Sequence, residues 1–142
     1  MEIGARTGET SDSPRIAMLL VTHEGVACAL AALVGHVFGN EARARVGVVE
    51  LTVDKSPESA LAEAIRWSLA SNTTGILAIS DLHGSTPWRV VNDLATGLGP
   101  LPVRALSGAN AAMVLSVVER WDVFGLDQLA RRAKTVGRRG IS

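Results

Sequence analysis

The chain has 142 residues, 47% hydrophobic and 20% charged, with one cysteine and fourteen Lys plus Arg against fourteen Asp plus Glu. That length suits one domain, the apolar fraction excludes global disorder, and the balanced charge gives no overall field to attract nucleic acid or an anionic membrane. Cys28 has no second cysteine with which to form a disulfide or a zinc-type spacing, which fits a reducing, cytoplasmic setting.

Residues 1–14 carry Glu2, Arg6, Glu9 and Asp12 without an apolar stretch. They do not fit a secretory signal and are read as a flexible leader, with the domain expected over residues 15–142. Residues 16–38 are apolar enough to raise the question of a membrane span, but Thr22, His23, Glu24 and Gly25 interrupt them. A strand over residues 16–21, a polar turn and a helix over Val26–Phe38 with a stop at Gly39-Asn40 account for the pattern instead.

Residues 45–53 (RVGVVELTV) supply β-branched side chains for a second strand, and Ser56-Pro57 marks the cap of a second helix reaching about residue 70. Gly75–Ser80 (GILAIS) is a third apolar run, followed by a polar loop over residues 81–86 and a helix opening at Pro87, with Thr86 as its N-cap. Val103–Leu106 repeats the strand pattern more weakly, Ser107-Gly108-Ala109-Asn110 leads into a helix over Ala111–Arg120, and a last helix is expected over residues 126–136. Internal repeats of 20 to 50 residues are absent.

Strands alternating with helices of these lengths predict right-handed βαβ units. The expected fold class is a small α/β, doubly wound, three-layer domain with a four-stranded, mainly parallel sheet in the order 2-1-3-4 and room for a short extra strand at the C-terminus. Ligands in such sheets bind beyond the carboxyl ends of the strands, where successive connections leave on opposite faces. With this order the switch point lies between strands one and three, so His23 and Asp81 face one crevice.

A neutral imidazole that donates one ring N–H to a carboxylate presents its other nitrogen as a nucleophile, and the carboxylate stabilises the cation formed on attack. Gly84, Ser85 and Thr86, next to a helix start, can turn backbone N–H groups toward an anion such as a phosphoryl group. The chain has no GxxxxGK[ST] loop and no kinase signature, so the pattern does not support direct use of ATP with magnesium.

Three segments in order, LLVTHEG, SDLHGSTP and SGANAAM, with the closing LDQLARRAKTVGRRGI, resemble the mannose-type IIA proteins of the bacterial phosphoenolpyruvate-dependent sugar phosphotransferase system. The likeness runs over roughly residues 15–141. It implies a cytoplasmic phosphocarrier that accepts a phosphoryl group from the phosphocarrier protein HPr and passes it to a IIB partner in sugar uptake, with no cofactor. On the matching positions His23 is the phosphorylated residue, Asp81 its partner and Thr86 a phosphoryl-binding hydroxyl, with Gly84 and Ser85 in the same loop. The chain departs from the common pattern at Glu24, His83, Ser85 and Arg89. The family's dimer-exchanged final strand begins near Gly140, and a homodimer is the expectation.

Two alternatives belong beside this reading. One is a stand-alone regulatory phosphoprotein whose His23 phosphorylation controls a target protein without sugar transport. The other is a metal-dependent hydrolase using His23, Asp81 and His83 as a two-His-one-carboxylate set, although no metal is expected. Cys28 is expected to be a buried small hydrophobe on the Ala-rich face of its helix, and Trp67 and Trp121 to be packing residues. Trp88 adjoins the loop, and the basic cluster Arg131, Arg132, Lys134, Arg138 and Arg139 is expected to be a solvated helix face.

Overall fold

A computed structural model describes residues 14–141. The leader expected over residues 1–14 lies, Pro14 aside, outside the described residues. In chain order the elements are β1 (Ile16–His23), α1 (Val26–Phe38), a single-turn α2 (Asn40–Arg43), β2 (Val46–Leu51), α3 (Pro57–Ala70), β3 (Gly75–Ser80), α4 (Thr86–Asp93), β4 (Val103–Leu106), α5 (Ala111–Arg120) and α6 (Leu126–Arg139).

The four strands form one sheet in the order β2-β1-β3-β4, and every neighbouring pair is parallel. β1 is buried at every position from Ile16 to Thr22 and surfaces only at His23, as a central strand covered on both faces must be. Its side chains divide between two cores. Met18 and Leu20 pack with Ala27, Ala31 and Val34 of α1 and with residues of α5 and α6, whereas Leu19 and Val21 pack with Ala60 and Ala64 of α3 and Val90 and Val91 of α4. The three-layer, doubly wound architecture expected from the alternation of elements is therefore the one observed.

Near the start of β2 an aromatic side chain anchors each face of the sheet. At Gly47 in β2 an added Cβ would lie 2.5 Å from Trp67 Cε2 and 2.8 Å from Leu19 Cδ1, so the indole rests on bare backbone and glycine is required for space. At the amino ends of the strands Arg45 donates from Nε to Ile16 O at 3.0 Å and from Nη1 to Asp122 at 2.7 Å, with its guanidinium 4.3 Å from the Trp121 ring centroid. Trp67 and Trp121 are packing residues, as expected.

In its elements the structure departs from the sequence reading in several places, and β1 runs on to His23, two residues past the expected end. α2 follows the Gly39-Asn40 stop: Gly39 breaks the chain's direction at φ +99, and a new turn of helix begins at once. β2 is shorter than residues 45–53 because residues 52–55 form a tight turn in which Lys55 N–H donates to Thr52 O. α6 continues to Arg139, and among the described residues no strand follows it.

Candidate functional site

The polar rim lies at the carboxyl ends of β1 and β3. His23 is the last residue of β1 and Asp81 the first after β3, and the parallel register sets Val21 beside Ser80, so the two side chains meet. His23 Nδ1 is 2.8 Å from Asp81 Oδ2, and the same oxygen accepts the backbone N–H of His23 at 3.1 Å. The other carboxylate oxygen accepts Leu82 N–H at 3.1 Å. The carboxylate is well buried, with 12% of its side chain exposed against 49% for His23, so the acid is set in the wall and the ring stands in the opening. Nε2 of His23 has no hydrogen-bond partner among the described residues.

Burial alone would raise the Asp81 carboxyl above its ordinary value. The hydrogen bond from the His23 ring, followed by those from the His23 backbone and from its own, outweighs burial and holds the carboxyl below the usual range. Asp81 is thus an anion at neutral pH, positioned to keep a proton on Nδ1 and to face any positive charge that develops on the ring.

Thr22 secures the histidine from behind. Its side chain is fully buried, and its hydroxyl donates to His23 O at 2.8 Å while accepting Ala27 N–H at 2.8 Å. That second bond matters because Gly25, at φ +93, begins α1 without a side-chain cap. A further first-turn amide, Cys28 N–H, is accepted at 2.8 Å by Glu50 Oε2, reaching across from β2. Burial pushes the Glu50 carboxyl up, and the N–H groups of Cys28 and Gly25, the Cys28 thiol and the charge of Lys55 together bring it below its ordinary value. The thiol in turn is pushed up, chiefly by its hydrogen bond to Glu50. In the sequence Glu50 sits inside a β-branched run that reads only as strand; its one signal is an acid within such a run, at the end facing the rim.

The loop after β3 differs from expectation at its cap. Ser85, not Thr86, caps α4: its Oγ accepts Trp88 N–H at 3.4 Å and donates to Leu82 O at 2.6 Å. Thr86 and Pro87 are the first two helical residues, an arrangement proline tolerates at either position. The Ser85 hydroxyl proton is committed within the loop, while Thr86 is exposed and free to present its hydroxyl outward. Gly84 holds φ +80, a left-handed conformation that costs glycine little. Among the described residues the N–H groups of Gly84 and Thr86 have no acceptor.

His23 and Thr86 share an open cavity of about 340 Å³ with Leu51, Lys55 and Pro57. His83 is not part of it: its ring stacks on Trp88, centroids 4.9 Å apart at a 45° tilt. Among the described residues no three His, Cys, Asp or Glu side chains gather as a metal-ligand set, so the proposed His23, Asp81 and His83 triad is not assembled. The Ser107–Asn110 segment lines a separate hollow of about 390 Å³ beside Trp88, Lys134 and Arg138. Asn110 is structural, capping α5 through Met113 N–H and donating to Gly137 O of α6. Cys28 is exposed, correcting the expectation that it is buried: the buried residues of α1 are Ala27, Ala31 and Val34, and Cys28 lies one step round the helix from that stripe.

The site is thus a strand-tip histidine backed by a carboxylate at the switch point of a doubly wound parallel sheet, beside a helix start with free amides. The family model described as PTS system fructose IIA component matches residues 17–134, and the chain belongs to that family of phosphotransferase-system EIIA components. No curated protein sequence matches the chain significantly. Among solved structures it is similar to a phosphotransferase system component EIIA from Streptococcus agalactiae, with a TM-score of 0.80 at 22% identity over 89% of this chain and 95% of that one. It is also similar to a mannose/sorbose specific IIA subunit of the phosphotransferase system from Enterococcus faecalis, with a TM-score of 0.74 at 24% identity over 90% and 93%. A sigma-54 interaction domain protein from Enterococcus faecalis shares the fold, with a TM-score of 0.73 at 11% identity over 92% and 95%. Among the described residues no helix is long and apolar enough to cross a membrane.

Proposed function

We propose that this EIIA component accepts a phosphoryl group from phospho-HPr on His23 Nε2 and passes it to a IIB protein in sugar uptake. The observation that carries the reading is the 2.8 Å contact of His23 Nδ1 with Asp81 Oδ2, which leaves Nε2 unpartnered on a half-exposed ring.

In the forward step the Nε2 lone pair forms the new N–P bond as the bond from phosphorus to the donor's imidazole nitrogen breaks, and the bonding pair returns to the donor ring. His23 keeps its Nδ1 proton and becomes a phosphorylated cation facing the Asp81 anion; the donor ring becomes neutral. The Gly84 and Thr86 N–H groups and the Thr86 hydroxyl receive the non-bridging oxygens, while Ser85 acts through the shape of the loop. Nothing in this step needs a cofactor: catalysis is in-line positioning plus electrostatic stabilisation. Transfer to IIB is the same exchange in reverse, with the IIB side chain as nucleophile.

A cytoplasmic location and a homodimer belong to the same proposal; a sedimentation mass of twice the chain's is the expected result for the second, and a monomer mass overturns it. Incubating the protein with phosphoenolpyruvate, enzyme I and HPr should add one acid-labile phosphoryl group, and His23→Ala should reduce uptake to background. Full labelling of His23→Ala sinks the site assignment.

A further inference from the structure

The proposed acceptor stands among negative charges. Asp81 touches the ring, Glu24 is the next residue and exposed, and Glu50 lies at the adjacent strand end. A phosphoryl group on Nε2 adds close to two more. Of the residues lining the His23 cavity, one carries a fixed positive charge: Lys55, which shares the lining with Thr86 and Pro87.

The position of Lys55 is built by its neighbours. Its N–H closes the turn onto Thr52 O at 3.2 Å, and the next two residues are Ser56, which caps α3 by accepting Ser59 N–H at 3.0 Å, and Pro57, the first residue of that helix. The backbone at residue 55 is thus fixed while the four-carbon side chain remains free to swing. Lys55 Nζ contacts Glu63 Oε1 at 2.6 Å, with the two side chains 25% and 36% exposed. A single, partly exposed pair of this kind gives modest net stability, and its ammonium can exchange partners. A phosphoryl dianion in the cavity competes well with one partly exposed, singly charged carboxylate for the ammonium.

We propose that Lys55 is the phosphoryl-binding cation of this site, its ammonium turning from Glu63 to a non-bridging oxygen when His23 is phosphorylated. The proposal rests on the phosphocarrier reading. Lys55 stays protonated throughout and takes no part in bond making; Glu63 is the resting partner that keeps the ammonium near the opening.

Three variants test it: Lys55→Met, Lys55→Arg and Glu63→Gln. Phosphoryl uptake is followed with phospho-HPr and with phosphoramidate, a small donor that needs no docking. Lys55→Met should slow uptake from both at least tenfold, Lys55→Arg should recover most of the rate, and Glu63→Gln should match or exceed wild type. Both Lys55→Met and Glu63→Gln remove the ion pair, so their thermal midpoints should agree while their transfer rates diverge. Wild-type rates in Lys55→Met, or an equal loss in Glu63→Gln, overturn the assignment.

If the wild-type protein takes phosphate from neither donor, the phosphocarrier reading fails, and the cavity is then tested with inorganic phosphate followed through the His23 ring resonances. Shifts in the wild type that are lost in Lys55→Met support Lys55 as the anion-binding group. Equal shifts in both proteins, or none in either, overturn it.

Discussion

Two carboxylates sit at strand ends on either side of β1, on the same rim, and both are held below their ordinary pKa by hydrogen bonds that outweigh burial. Glu50 gives its oxygen to Cys28 N–H and so completes the uncapped start of α1. Asp81 gives one oxygen to the N–H and ring of His23 and the other to Leu82 N–H. The direction of the shift is the same, yet one acid serves the fold and the other faces a half-exposed ring with a free nitrogen. A depressed carboxyl alone therefore does not mark a functional site; the partner does.

The widest separation between the two acids is expected in transfer rate. Asp81→Asn removes the anion facing the ring and should slow phosphoryl uptake by about 10²–10⁴-fold, read from the initial rate with phospho-HPr; a rate near wild type would erase the distinction. Next in size is a change touching neither acid. Gly47→Ala drives a methyl into Trp67 and Leu19 and should cost about 1–3 kcal/mol in chemical denaturation, with transfer per folded molecule unchanged. If transfer falls in proportion, loss of stability alone explains rate effects and the Asp81 result loses its meaning.

Glu50→Ala should cost about 1 kcal/mol, the size of a lost helix cap, and leave transfer intact. Both acids also predict a pH dependence. Because their folded pKa values are depressed, their stabilising contributions are complete above the ordinary carboxylate range and are lost as pH falls through the folded values. Acid titrations followed by circular dichroism should show a shallower loss of stability in Asp81→Asn and in Glu50→Ala than in wild type.

Much of this architecture is legible in the sequence because the sheet is buried on both faces: Gly75–Ser80 and Val103–Leu106 read as strands at their observed bounds, and α1 begins and ends where expected. The His23 and Asp81 pairing follows from strand order alone. What the sequence does not resolve depends on choices between near-equivalent residues. Ser85 and Thr86 are both good caps and Pro87 suits either, so only the hydroxyl's bond to Leu82 O decides between them. In α1 the run VACALAALVGHVF is apolar nearly all round, so its periodicity cannot say that Cys28 faces water. Glu50 and Lys55 gain their importance from contacts made across the fold, by an acid inside a strand and a lysine inside a turn.

The oxygen that Asp81 Oδ2 shares between the His23 backbone N–H at 3.1 Å and the ring at 2.8 Å makes the protein its own spectroscopic gauge. One acceptor serves two donors, so a cationic ring draws the oxygen toward itself and away from the amide. The His23 amide proton resonance is expected to move upfield when phosphate is loaded and return when it leaves, giving occupancy without a radiolabel. An amide resonance that stays fixed while the ring signals shift would mean that the two donors do not compete.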